Sequence, residues 1–361
     1  MADIVHKIDL NPDTVIILED PTVDFAVWDT GDDTLARTST GSFNGDAASS
    51  ETTLEPQKND NTSQELTENE AQSHSVQYLV SSRHLMLASP WFQRALTREG
   101  WTESDRDADG RYCIRTSGWD SNALLILLNI LHLRNRRVPR LLSLETLAKI
   151  AVLVDYYECA EAVDLFGDVW TNAYEETPVP TSLCRDLVLW LWVSWSFQLT
   201  EKFEQATFVA IKHSIGDFDT LDLPLPAAVT EAIEKARQEG MLKLQSGLAA
   251  LLGEYRSKQY SCPVGSGTSS FECGSMMYGA LIKGMDTVGI STEGDSFDGI
   301  SLEELCNDIR RIRSPTWYYS GSSGYYQSQH MCKLTRPLKD MTDEVEKSLK
   351  GLKLEKLKKD I

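Results

Sequence analysis

Four residues in the last hundred positions have side chains that could hold a metal ion: Cys262, Cys273, His330 and Cys332. Three thiolates and one imidazole make a complete tetrahedral donor set for zinc, a borderline-soft cation that takes sulfur and nitrogen. All four stand in sequence that reads as loop, and the Gly/Ser-rich stretch CPVGSGTSSFECGS around the first two has little apolar surface to hold it in place. One structural zinc ion would staple such a region. The spacing is C-x10-C and H-x-C with 56 residues between the pairs, unlike the short knuckles of familiar zinc modules. A second reading stays open, in which these are ordinary reduced cysteines beside one surface histidine. Cys113, Cys159, Cys184 and Cys306 fall in apolar strand or helix patterns and read as small core residues.

Little else in the sequence is set up for catalysis. There is no Gly-rich phosphate loop, no GxSxG elbow, no HExxH and no dinucleotide fingerprint. Glu303 and Glu304 follow Ser301 as part of a capping box, and the helix start explains them. His84, His132 and His213 lie on predicted helices with no Cys or Ser partner at a recognisable spacing. No enzymatic activity is expected, and a zinc-dependent regulator or enzyme centred on the Cys/His residues is the alternative from another class.

The formal net charge of −19 disfavours nucleic acid as a ligand, because that affinity comes from clustered Lys and Arg. The apolar stretches at 123–133 and 187–197 run about half the roughly 20 residues a bilayer span needs, so no membrane partner is expected. The opening MADIVHKIDL lacks an uninterrupted apolar stretch, and seven cysteines without a secretory signal imply a reducing, cytoplasmic or nuclear setting.

The elements that must position these residues read as α+β. DTVIILE (13–19), VQYLV (76–80) and RYCIRT (111–116) have the β-branched or alternating character of strands. Between the first two, residues 29–75 carry ten acidic residues against only Arg37 and Lys58. That composition cannot bury enough surface to offset ordering entropy and reads as a disordered acidic insertion. Helices are predicted on both sides of Ser89, from Ser121 to Leu133, and behind Ser143 as cap. After TPVPT (177–181) come three stretches of all-helical character, at 183–199, 201–215 and 227–255; Trp190, Trp192 and Trp195 in the first of them read as core. A loop at 262–275, helices at 276–288 and behind Ser301, and a Lys-rich amphipathic stretch at 340–361 complete the chain. In that last stretch Val345, Leu349, Leu352 and Leu357 suggest a docking helix. The units are thus 1–28 with 76–176, the insertion 29–75, a helical domain 182–258, and a Cys/His-containing helical region 259–361.

Leu85, Ala88, Ser89, Pro90, Trp91 and Phe92 make a Leu, small residues, Ser-x-x-Phe stretch, and on these residues the first unit resembles the BTB/POZ family, and within it the BTB-domain proteins of filamentous fungi. LLILLNILHL (124–133) is similar to the family's apolar helix after the third strand, and Val154, Asp155 and Tyr156 match its Ala-Asp-Tyr element. The family usually has His where this chain has Ser81. The resemblance implies a small sheet capped by helices, a non-catalytic protein–protein interaction module that homodimerises and docks partner proteins, with Trp91 and Phe92 near the docking face. It also implies an alternative role as adaptor for a cullin ubiquitin ligase, through the apolar-x-Glu pattern at Trp101 and Glu103.

Overall fold

The computed structural model describes residues 4–22, 24–28, 75–97, 102–264, 270–290, 297, 299–320 and 327–360; Trp101 and the acidic insertion lie outside them, save for the insertion's last residue, Ser75, which belongs to the third strand. The chain is mixed α+β. Strands β1 (Ile4–Lys7), β2 (Thr14–Glu19), β3 (Ser75–Val80) and β4 (Tyr112–Ser117) form one sheet in the order β1-β3-β2-β4. β2 runs antiparallel to β3, pairing Ile16 with Tyr78, and parallel to β4, pairing Ile16 with Ile114. Alternation does the sorting: Thr14, Ile16 and Leu18 of β2 and Val76, Tyr78 and Val80 of β3 all point inward. β1 was not anticipated. Ile4 and Val5 on it are more than half exposed, so it shows no buried face to read from the sequence.

Helices α1 (Ser82–Ala88) and α2 (Pro90–Thr97) meet at Ser89. The Ser89 hydroxyl accepts from the Phe92 N–H at 3.0 Å and donates to the Tyr157 carbonyl at 2.6 Å, capping α2 and tying it to the end of α4 (Leu144–Tyr156). α1 is capped from far away in sequence, because the Asp13 carboxylate accepts from the Ser82 N–H at 2.7 Å and its hydroxyl at 2.6 Å. Burial pushes the Asp13 carboxyl up, but these bonds and one from Thr14 outweigh it and hold it below its ordinary value. In α3 (Ser121–Leu131) the cap is Asp120, one residue before the expected Ser121, accepting from the Ala123 N–H at 2.9 Å. Ser143 caps α4 as expected.

α5 (Ala160–Asn172), α6 (Arg185–Ser196) and α7 (Thr200–His213) follow. The break at 177–181 does not divide the core. Trp192 on α6 is 1% exposed and its indole N–H donates to the Ala148 carbonyl on α4 at 3.2 Å. Arg185 reaches the carbonyls of Phe25 and Ala26 and the carboxylate of Glu145. One continuous apolar core therefore joins the sheet, α1–α7 and the start of α8 (Ala227–Arg256). The proline break is a loop between helices that share that core, and its own Val179 is buried in it.

A second core begins at Met241, halfway along α8. It gathers α9 (Ser270–Val288), α10 (Leu302–Arg311) and α11 (Thr335–Ser348), with the hairpin of β5 (Tyr318–Ser320) and β6 (Gln327–Gln329) before α11. Ser301 forms the expected capping box with Glu304 at the start of α10. The Lys-rich stretch is two helices, not one. α11 ends at Ser348, Gly351 passes so close to the Glu204 carbonyl that a Cβ would collide with it, and α12 (Leu354–Asp360) returns to the first core. There the Leu352 N–H donates to the Thr207 hydroxyl at 2.8 Å, Lys353 pairs with Glu204, and the Lys358 ammonium lies over the Trp195 ring at 5.2 Å. No helix among the described residues is long and apolar enough to cross a membrane.

Candidate metal centre

Three separate pieces of chain bring the Cys and His side chains together. Cys262 follows a turn after α8 in which the Tyr260 N–H donates to the Ser257 carbonyl at 3.1 Å. The Cys262 N–H in turn donates to the Ser270 hydroxyl, at 3.0 Å, at the first residue of α9. Cys273 lies in the first turn of α9, not in a loop as its Gly/Ser-rich surroundings suggest. Gly274 permits that placement: a Cβ there would come within 3.0 Å of the Tyr255 carbonyl and of the Tyr260 ring, so the helix start can press against the end of α8.

The hairpin supplies the other two donors. The His330 N–H donates to the Trp317 carbonyl at 2.9 Å, and the two rings stack with centroids 4.3 Å apart. Extended backbone puts residues two apart on the same side. His330 is buried, Met331 between the two ligands is 65% exposed, and Cys332 is half-buried. The H-x-C spacing thus aims two donors inward with one residue between them turned to solvent.

The four donor atoms lie within 4.8 Å of one another. Cys262 Sγ is 3.3 Å from His330 Nε2 and 3.6 Å from Cys332 Sγ. A tetrahedron with metal–sulfur bonds of about 2.3 Å has edges of about 3.8 Å, so this cluster has the size of a metal site, and the group could hold a metal ion. Cys262, Cys273 and His330 are buried.

Without a cation between them the thiols stay protonated. Burial pushes the Cys332 thiol up to about 12, with the neighbouring sulfurs adding to it, and burial likewise raises Cys273. Three thiols packed this closely resist ionising one another, whereas a divalent cation between them reverses the balance and releases their protons. A further layer surrounds the ligands. The Tyr260 hydroxyl is 3.4 Å from Cys273 Sγ, and burial together with that contact pushes the phenol well above its ordinary value, leaving it protonated and able to donate to a thiolate. Tyr260 and Trp317 escaped the sequence reading. Tyr260 stands two residues before Cys262, a weak hint; Trp317 is thirteen residues before His330 and reaches it only through the hairpin.

The other expected site residues lie elsewhere and do not join the metal cluster. Phe92 is 1% exposed and stacks on Tyr157 with centroids 4.8 Å apart, so it is a core residue with no surface to offer a partner; its expected docking role is corrected accordingly. Trp91 is half-buried, edge-on to Phe92 and Tyr157. Glu103 is half-buried on a short 3-10 turn, Thr102–Ser104, and Trp101 lies outside the described residues. Cys159 and Cys306 are buried as expected, while Cys113 and Cys184 are half-buried. His132 does have a partner: its Nε2 accepts from the Ser81 N–H at 2.9 Å, and its ring stacks on His84. The chain matches no protein-family model, no curated protein and no solved structure.

Proposed function

We propose that this chain is a non-catalytic protein-interaction module, in which a BTB/POZ-like unit docks partners and one structural zinc ion fixes the C-terminal unit. The observation that carries the zinc part is the closed donor set. Three sulfurs and one imidazole nitrogen within 4.8 Å fill all four positions of a tetrahedron, whereas catalytic zinc keeps one position for water or substrate. A metal held by this set organises chain and does not activate a nucleophile, which favours a scaffold over a zinc enzyme. Zinc is preferred over other cations because the set is rich in thiolate and tetrahedral in size.

Support for the docking part comes from the first unit. Its small sheet is covered by α1–α5, and the Ser89–Phe92 stretch and Tyr156–Tyr157 pack on one another as one aromatic nest. β1 lies at the edge of the sheet with Ile4 and Val5 exposed, and no strand among the described residues covers its outer side. An open edge with apolar side chains is a template for a partner strand, and a second copy of the chain is the expected occupant. Native mass spectrometry of the full chain reads both parts at once: a dimer carrying one zinc per protomer. A strict monomer at high micromolar concentration sinks the docking reading, and a metal-free chain with an ordered C-terminal unit sinks the zinc reading.

A further inference from the structure

The four ligands are not equally open to solvent. Cys262, Cys273 and His330 are 4%, 1% and 3% exposed, while Cys332 is half-buried and sits between exposed Met331 and exposed Lys333. Nor are the sulfurs equally nucleophilic. Cys273 receives the Tyr260 hydroxyl at 3.4 Å, and a thiolate that accepts a hydrogen bond has less electron density to give. Cys332 has Cys262 Sγ only 3.6 Å away, within a small displacement of a disulfide bond. A partly exposed thiolate with a second thiolate beside it is the arrangement of a redox-sensitive pair.

We propose that Cys332 is an oxidation site, at which a hydroperoxide opens the centre and expels the metal; this rests on the zinc reading above. The Cys332 thiolate attacks one oxygen of hydrogen peroxide. The S–O bond forms, the O–O bond breaks, and the departing hydroxide takes a proton to become water. Cys262 then attacks the Cys332 sulfenic sulfur. The S–S bond forms, the S–O bond breaks, and the second hydroxide leaves as water with another proton. Two thiolates have given two electrons, one peroxide has become two waters, and zinc, reduced to Cys273 and His330 as ligands, departs. Tyr260 keeps Cys273 out of the disulfide. The product still ties Cys262 to Cys332 but frees the first turn of α9 and the hairpin's histidine.

The test uses the full chain, first shown by native mass spectrometry to carry zinc, so that failure of the metal reading is seen before peroxide is added. Hydrogen peroxide is then titrated in, released zinc is followed with a chromogenic chelator, and disulfides are mapped by peptide mass spectrometry without reduction. One zinc should appear per Cys262–Cys332 disulfide, and brief treatment in the presence of dimedone should label Cys332 ahead of the other two. Tyr260→Phe, assayed at saturating zinc, should raise oxidation at Cys273 by about tenfold, the factor that loss of a hydrogen bond to a charged group implies. The proposal is overturned by disulfides in the unsubstituted chain that involve Cys273, by zinc release that tracks Met331 sulfoxide with the thiols still reduced, or by a zinc centre that survives a large excess of peroxide.

Discussion

The two cores of this protein are built from different materials. The first buries Trp170, Trp190, Trp192, Tyr78, Tyr157, Phe92 and Phe203, each a large rigid side chain with a defined packing geometry. The second, among the described residues, fully buries no Trp, Tyr or Phe: Leu, Ile, Val, Met241, Met277, Met285 and three cysteines make it up, with Tyr255, Tyr260, Tyr278, Phe297 and Trp317 packed against it only partly buried. Methionine fills gaps but specifies little, because three rotatable bonds let it adapt to any neighbour. What the second core lacks in shape it can gain from coordination, and its Cys/His cluster sits at the junction of a turn, a helix start and a hairpin. The comparison teaches that one chain can reach a defined structure by two routes, jigsaw packing and directed bonds.

The sharpest way to break the comparison is to remove the metal. A structural zinc site can contribute on the order of 10 kcal/mol, so chelation or Cys332→Ser should melt the second unit while the first stays folded. Calorimetry should then show one surviving transition, and amide exchange should become fast in α9 and at 327–332 but stay slow in α3, α4 and α6. Uniform loss of protection would mean the two cores fold as one.

The converse cut is Trp192→Ala, which empties a fully buried site and removes the bond to the Ala148 carbonyl. A loss of about 3–5 kcal/mol is expected, read by urea denaturation, with zinc content unchanged in native conditions. Loss of zinc in the folded variant would show that the second unit depends on the first for its ligand geometry. A finer cut is Tyr260→Phe, which removes one hydrogen bond to a ligand and should weaken zinc affinity by about tenfold, measured by chelator competition, without shifting the melting of the first core.

The smallest effect concerns acid. Burial holds the His132 imidazole below its ordinary value, against the opposing pull of its Nδ1 bond to the Leu128 carbonyl. Below about pH 6.5 the unfolded chain therefore binds a proton that the folded chain excludes. This contribution to stability is complete above that pH and declines as pH falls through it toward the folded value, by at most about 1.4 kcal/mol per pH unit. His132→Gln should flatten the first core's stability in that window; an unchanged slope would clear His132 of the effect.

The Cys/His cluster was legible by residue type, because three thiols and an imidazole make up a zinc donor set, although the spacing left ordinary reduced cysteines open as a reading and hid the pairing. Two long-range contacts did the hiding, the close approach at Gly274 and the hairpin that carries His330 to Cys262, and neither leaves a periodic trace. The strands with one buried face and the capped helices were readable from local pattern alone. β1 was not, since its apolar residues face solvent, and the start of α9 was misplaced because Gly and Ser outweighed its helical context. Arg237 makes the same point: it reads as a surface residue of a long helix but is 2% exposed, paired with Glu234 and bonded to the carbonyls of Phe297 and Ile300. Long-range partners of this kind decide burial, and single-sequence periodicity does not contain them.

The return of α12 to the first core makes the unit with the Cys/His cluster a captive insertion. It leaves the first core along α8 and comes back at Leu354, so both ends of its chain stay anchored when its own contacts fail. Unfolding such a loop gains less entropy than unfolding a free tail, and its ligands stay at a high local concentration relative to one another. The unit can therefore open and close again many times without separating from the body that carries it.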